Sequence, residues 1–307
     1  MGRWTYLLRV HLESESWRSY HAELRSACVW AKACTGVRLR RGGASEVDGA
    51  FSKYVHWVHR KFRGRYRQYV VCAFNGLITI RPELKLKLQV SRKALAGWAS
   101  VVPSKQYAPI PKEVLRMVAY SAVELGEFAF ALAVLVAWEC YLRVSEVARL
   151  RVVDVVFEGP NAVLVLVKTK TGKRKLQLAV VRDRRVVRLL RIWTAGRNRA
   201  DSLFGMSKFR LRTRLKQYLS YWRLEACEFV FHSIRHGRAT QDAADGVEVK
   251  TIMNRGRWKA LKSVENYLQQ GRAIMIKNVE ACRRIVALGS SIEAVFEVVF
   301  SLGFPAQ

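Results

Sequence analysis

Residues 142–181 read LRVSEVARLRVVDVVFEGPNAVLVLVKTKTGKRKLQLAVV, and this stretch decides the fold class. On either side of it, apolar residues recur at every third and fourth position, the spacing of a helix face. Within it the period changes. VVDVVFE, AVLVLVK and KLQLAVV are runs rich in β-branched residues, separated by GPN and by TGK. Such runs punctuated by turn residues predict three short strands joined as hairpins. The chain therefore reads as mainly α with a small antiparallel β-sheet, an α+β protein. The second hairpin turn is strongly basic, with Lys168, Lys170, Lys173, Arg174 and Lys175.

Toward the N-terminus, the spacing predicts helices over 17–35, 49–62, 66–80 and 90–101. The Gly-rich stretch VRLRRGGASEVDGA reads as the loop between the first two, and Pro82 separates the last two. VVPSKQYAPIPKEV then carries Pro103, Pro109 and Pro111. Proline blocks helix continuation and holds the chain extended, so this segment reads as a linker with a domain boundary near residue 105. Beyond it, helices are expected over 112–125 and 127–141. After the sheet they follow over 183–195, 206–224, 232–246, 249–256, 263–270, 272–287 and 291–302. The last has Ser290 and Glu293 spaced as a capping box and Gly303 as a stop.

The chain has 307 residues, enough for two domains, and a formal net charge of +30. So large an excess repels itself in the folded state, which points to a polyanionic partner and away from a small neutral ligand. Residues 1–105 carry a net +14 and residues 106–307 a net +16. Neither half is thus a neutral domain with a basic tail. The six cysteines form no CxxC pair, and His56 and His59 lack a third ligand nearby, so no metal and no cofactor is expected. Scattered thiols suit a reducing compartment. The longest apolar run, Phe128 to Trp138, is about half a membrane span, so it reads as a buried helix. The expectation is a soluble, DNA-associated protein of the cytoplasm or nucleus, with no membrane partner.

A phosphodiester must have its charge offset before a nucleophile attacks it, and arginine does this with a planar fork that stays charged. Arg143 lies in YLRVSEVARL at the end of the helix before the sheet. Lys170 tips the hairpin. His232 and Arg235 fall in HSIRHG, one turn apart. Trp258 lies in GRWK, and Tyr267, in VENYL, has no other tyrosine after Tyr221. Nine positions along one helix would turn Trp258 and Tyr267 to opposite faces. A bend at KALKS is required if both line one pocket.

These residues, in this order, resemble the tyrosine recombinase (phage integrase) family. LRVSEVARLRVVDV is similar to its first arginine box, with Arg143 and the supporting Glu146. KTKTGKRKLQL is similar to its lysine hairpin, HSIRHGRAT to its second box, and GRWKALKSVENYL to its His/Trp and tyrosine positions. The match covers about 130–270, and the wording looks like that of mobile-element members. The resemblance implies a two-domain clamp, with a helical core-binding domain over 1–105 and a catalytic domain over 106–307. It implies metal-free transesterification. Tyr267 would attack a phosphate to leave a 3′-phosphotyrosine and a free 5′-hydroxyl. Arg143 and Arg235 would stabilise the nonbridging oxygens. Lys170 would protonate the leaving oxygen, His232 would move the tyrosine proton, Trp258 would support the wall, and Glu146 would hold the basic cluster in register.

The basic stretch HRKFRGRYR places Arg60, Lys61, Arg63, Arg65 and Arg67 as candidate phosphate contacts, joined by Lys168 and Lys173 on the hairpin. The implied partner is double-stranded DNA, and the implied assembly a homotetramer on paired sites. The apolar stripe of the terminal helix either packs on its own domain or, as the resemblance implies, docks into a neighbouring protomer. Two other readings share these residues: a type IB topoisomerase-like enzyme acting as a monomer, and a relative that binds DNA without cutting it.

Overall fold

The structure is a computed structural model that describes residues 14–102, 107–166, 176–265, 267, 268 and 270–302. The chain divides into two compact units, Met1–Lys105 and Gln106–Gln307.

Among the described residues of the first unit, four α-helices surround one apolar core: α1 (Ser14–Thr35), α2 (Ala44–Lys61), α3 (Arg67–Ile80) and α4 (Gln89–Val101). Leu24, Ala27 and Ala31 of α1 pack with Val47, Phe51 and Val55 of α2 and with Val70, Phe74 and Leu77 of α3. Helix α2 starts five residues before the expected position. Glu46 explains this: its carboxylate accepts from the Gly43 N–H at 3.0 Å, closing the first turn, while Val47 and Phe51 already lie on the buried face. Leu88, at the start of α4, offers no side-chain cap. The cap comes instead from α2, where buried Asp48 accepts from the N–H groups of Val90 and Ser91 at 2.9 and 2.8 Å and from Ser91 Oγ at 2.6 Å.

The second unit is organised on α6 (Phe128–Glu139), which is apolar on every side and buried from Phe130 to Trp138. A helix with no polar face must be enclosed. It is packed by α5 (Lys112–Glu124), α8 (Arg184–Thr194) and α10 (Phe231–Ala244). A short helix, α7 (Val144–Val147), leads from it to the sheet. Strands β1 (Val155–Glu158), β2 (Asn161–Leu166) and β3 (Gln177–Val181) form an antiparallel sheet in sequence order, with Val155 opposite Leu164 and Ala162 opposite Val181. Ala162, Leu164 and Leu166 alternate inward along β2 toward the core. The basic hairpin, 167–175, lies outside the described residues.

Helix α9 (Lys208–Tyr221) follows α8, and α11 (Val249–Gly256), α12 (Leu261–Glu265), α13 (Gln270–Lys277), α14 (Glu280–Ala287) and α15 (Gly289–Leu302) follow α10. Three of these depart from the sequence expectation. The helix over 263–270 is shorter, because the Tyr267 carbonyl accepts from Thr240 Oγ1 at 2.9 Å and leaves the helical ladder. The helix over 272–287 is two helices. Asn278 and Val279 turn the chain so that Ile276 and Val279, like Cys282 and Ile285, reach the same core. Helix α15 begins at Gly289, so Ser290 lies inside its first turn rather than capping it.

Helix α15 docks on its own unit, against α5 and α8. Ile292 and Phe296 are buried, and the Phe296 ring lies 4.8 Å from the Arg116 guanidinium and 5.4 Å from that of Arg185. Glu293 pairs with Arg116 and lies 3.6 Å from Arg185. Within the single chain, Ile292 and Phe296 thus pack on their own unit, while Val295 of the same helix is exposed.

Candidate active site

Five of the six candidate catalytic residues come together in the second unit. Lys170 lies outside the described residues, as do Lys168 and Lys173. Arg143 does not end α6. It stands in extended backbone as the N-cap residue of α7. The backbone reaches that position through Tyr141, which is held in the left-handed region at φ 51. His232 and Arg235 lie in the first turn and a half of α10, and Trp258 follows α11. The bend required between Trp258 and Tyr267 is present: Lys259 and Ala260 turn the chain before α12, and the two rings come to 4.6 Å.

The central contact is His232 Nε2 to Tyr267 Oη at 3.1 Å. The tyrosine ring is half-buried in an aromatic cage. His236 stacks on it at 4.3 Å and 23°, His232 meets it edge-on at 5.5 Å, and Trp258 covers a further side. Arg235 is fully buried, with its guanidinium 4.4 Å from the Trp258 ring and 5.5 Å from that of Tyr267. Its terminal nitrogens donate to the carbonyls of Tyr141 and Gly256, tying the end of α6 to the end of α11. Its Nε, and Nε1 of Trp258, are buried donors without a partner among the described residues.

Glu146 organises the charge around this cage. One oxygen takes Arg143 Nη1 at 2.7 Å, and the other takes the Arg143 N–H at 2.9 Å and Arg257 Nη2 at 3.0 Å. Burial alone would raise its pKa, but the two guanidiniums, Arg257 foremost, hold it below the usual carboxylate range. Arg235 has no such counter-charge. Burial, followed by repulsion from Arg143 and Arg257, pushes its pKa well below the ordinary arginine value, to about 9. It stays protonated at neutral pH. Two guanidiniums sharing one carboxylate, with a third buried beside them, leave a positive excess beside a phenol, the electrostatic complement of a phosphate.

Two glycines permit this packing. A Cβ on Gly256 would fall 1.8 Å from the Trp258 ring, and one on Gly237 would fall 2.1 Å from the Ile110 carbonyl. The chain can thus approach closely only where no side chain intervenes.

Three contributors have no counterpart in the sequence reading. His236 stands four residues after His232, on the same helical face, so the spacing offered a signal for it. Burial, then the charges of His232 and Arg235, pushes its pKa down to about 3, so it stacks on Tyr267 as a neutral ring. Thr240, one turn further along α10, holds the tyrosine backbone. Arg257 gave no signal. It stands left-handed at φ 57, and it also donates to the Cys140 carbonyl at 3.0 Å.

Of the candidate DNA contacts in the first unit, Arg60, Lys61, Arg63 and Arg65 are exposed. Arg67 differs: its Nε and Nη2 both lie 3.3 Å from the Leu95 carbonyl, so it fastens α3 to α4. Among the described residues there is no cluster of three metal-ligating side chains, and no helix is long and apolar enough to cross a membrane.

A helical unit carrying a three-stranded sheet, with arginines, histidines and a tyrosine converging at one site, defines a class that the comparisons name. The phage integrase family model matches residues 110–273, more than half of the chain. The chain belongs to the phage integrase family, the site-specific DNA recombinases that break and rejoin strands. Its fold is similar to that of the Tn1549 transposon integrase in complex with transposon right end DNA, with a TM-score of 0.57 at 12% identity over 87% of this chain and 94% of that one. It is also similar to the XerH site-specific recombinase in a post-cleavage complex with a palindromic difH substrate. There the TM-score is 0.51 at 13% identity, over 78% of this chain and 73% of that one. No curated protein sequence matches it.

Proposed function

We propose that this recombinase cuts double-stranded DNA with Tyr267 as its nucleophile, and that the hydrogen-bonded pair of His232 and Tyr267 is where the chemistry starts. A free phenol titrates near 10 and is a poor nucleophile at neutral pH. His232 Nε2, 3.1 Å from Tyr267 Oη, is placed to take its proton as Oη bonds to phosphorus. The P–O5′ bond breaks, and the 5′-oxygen leaves with a proton from Lys170. Arg143, the more open of the two paired arginines, and the unpartnered Nε of Arg235 neutralise the nonbridging oxygens as charge builds. Glu146 and Arg257 position Arg143, and His236 and Trp258 fix the plane of the tyrosine. The phosphotyrosine conserves the bond energy, so a free 5′-hydroxyl can reverse the step and rejoin the strand without an energy source.

The first unit contributes phosphate contacts through Arg60, Lys61, Arg63 and Arg65, and the hairpin through Lys168 and Lys173. Recombination needs two cuts on each of two sites, so four copies assemble on paired DNA. The test is trapping on a nicked suicide duplex, in which the cut releases a short fragment and rejoining fails. The intact chain should form a covalent 3′ adduct resistant to denaturant. Lys170→Ala should lose cleavage of an ordinary 5′-oxygen ester and recover it on a 5′-bridging phosphorothiolate, whose sulfur leaves without a proton. Failure of that rescue would remove Lys170 as the acid. Supercoil relaxation by a monomer, with no dependence on paired sites, would move the chain to the topoisomerase-like reading.

A further inference from the structure

The first unit carries a row of aromatic rings that the cleavage chemistry does not use; it starts at Trp30, which packs against the helical core, and runs outward through rings that do not. Trp30 of α1 lies 5.5 Å from Trp57 of α2, which lies 6.2 Å from Phe62. Phe62 lies 5.1 Å from Tyr66, and Tyr66 lies 5.5 Å from Tyr69 of α3. Trp57 is 36% exposed, Phe62 37%, Tyr66 51% and Tyr69 52%. Single exposed apolar side chains are ordinary, but a contiguous row of large rings marks a binding surface.

Two observations show that the row is built. The turn joining α2 to α3 holds both Arg63 and Tyr66 in the left-handed region, at φ 49 and 65. Residues with side chains avoid this conformation, and where they adopt it the surroundings must enforce it. Here Gly64 N–H donates to the His59 carbonyl at 2.8 Å, Arg65 N–H to the Phe62 carbonyl at 3.0 Å, and the Trp98 indole to the Gly64 carbonyl at 3.0 Å. The turn is thereby fixed with Phe62 and Tyr66 at the surface. Separately, the indole N–H of Trp30 is buried without a hydrogen-bond partner among the described residues.

The surroundings select the ligand. Between Asp48 and Glu83 the chain has seven lysines and arginines and no carboxylate. Arg81 pairs with Glu83 and Arg67 is held by the Leu95 carbonyl, which leaves Lys53, Arg60, Lys61, Arg63 and Arg65 around the row. Lys61 Nζ stands 4.9 Å from the Trp57 ring centre, and Lys53, His56 and Arg60 line the shallow groove around Trp30 and Trp57. Cations alone would serve a duplex, whose base faces are already covered by stacking. Rings alone would serve an apolar protein surface, which so many uncompensated cations oppose. Rings and cations together suit a strand whose bases are free to stack and whose phosphates need neutralising.

We propose that the row from Trp57 to Tyr69 is a stacking site for unpaired bases of single-stranded DNA, with Lys61, Arg63 and Arg65 holding the phosphates. It lies wholly on the first unit and stands whether or not Tyr267 cuts. The test uses the full chain and fluorescence anisotropy with four 12-residue probes: oligothymidylate, oligouridylate, a strand of abasic sites, and a duplex. The abasic strand keeps the phosphates and loses the bases. Oligothymidylate should bind at least about tenfold more tightly than the abasic strand. Trp57→Ala and Tyr66→Ala should each weaken it by about tenfold, while Tyr66→Phe and the duplex affinity should stay within about twofold. Trp57→Phe, which keeps a ring in place, should bind nearly as well as the parent and controls for folding. Equal affinity for the strands with and without bases would overturn the proposal, and so would equal losses on duplex and single strand. Tighter binding of oligouridylate than of oligothymidylate would assign the site to RNA and overturn it as well.

Discussion

The two units carry similar net charge and place it oppositely. Among the described residues the first unit buries no lysine or arginine. Its cations stand at the surface beside exposed rings, where each interacts weakly through water. The second unit buries Arg116 and Arg235 outright and encloses Arg257 almost as fully. Arg116 and Arg257 keep counter-ions in Glu293 and Glu146, whereas Arg235 is held by the carbonyls of Tyr141 and Gly256, since a buried cation persists only where opposite charges or dipoles hold it. The difference separates two kinds of work. Exposed cations supply affinity that any phosphate can satisfy. Buried, immobilised cations supply an oriented field at one point, which a reacting phosphate needs.

The strongest break in this comparison is Tyr267→Phe. It removes only the phenolic oxygen, so covalent adduct formation should fall by at least about 10³-fold while binding stays within about twofold. A surviving denaturant-resistant adduct would remove Tyr267 as the nucleophile.

Next come the residues that orient the field. Glu146→Gln weakens the hold on Arg143, and Arg257→Gly removes a guanidinium while relieving its left-handed backbone. Each should slow cleavage by about 100-fold, the cost of a small misplacement, with duplex affinity nearly unchanged. Unaltered single-turnover rates in Arg257→Gly would reduce that side chain to a packing role.

A smaller effect concerns pH. The folded protein holds the His236 pKa down at about 3, against 6.5 for the free side chain. Between those values the unfolded chain takes up a proton that the folded chain refuses. His236 therefore makes stability fall as pH drops from 6.5 toward 3, by up to about 1.4 kcal/mol per pH unit. His236→Asn should flatten the pH dependence of thermal unfolding between pH 7 and 5. An unchanged slope would mean that the imidazole is solvated.

The smallest effect separates surface cations from structural ones. Arg60→Ala and Arg65→Ala should each reduce the slope of log K against log salt by about 0.9 on duplex DNA. Arg67→Ala should leave the slope alone and lower the unfolding temperature, since its guanidinium is committed to the Leu95 carbonyl. A reversed pattern would place Arg67 on DNA.

Much of this was legible in order and spacing. The change of period at residue 152 marked the sheet, because β-branched runs and GPN cannot continue a helix. The succession of Arg143, His232, Arg235, Trp258 and Tyr267 marked the candidate site, because its order and spacing resemble those of the tyrosine recombinase family. The requirement for a bend before Tyr267 also followed from helix geometry alone. What could not be read depended on partners far along the chain. Helix α4 lacks a local cap, and only tertiary packing brings Asp48 to its first turn. The break at Asn278 follows from the core that Ile276 and Val279 share. Arg257 stands where a left-handed backbone would favour glycine, and it is retained by Glu146, 111 residues earlier. Periodicity and motif order are carried by neighbours on the chain, so the sequence determined the elements and the candidate site residues. Which carboxylate meets which guanidinium, and where the terminal helix docks, depends on surfaces that exist only after folding, so the tertiary structure decided those.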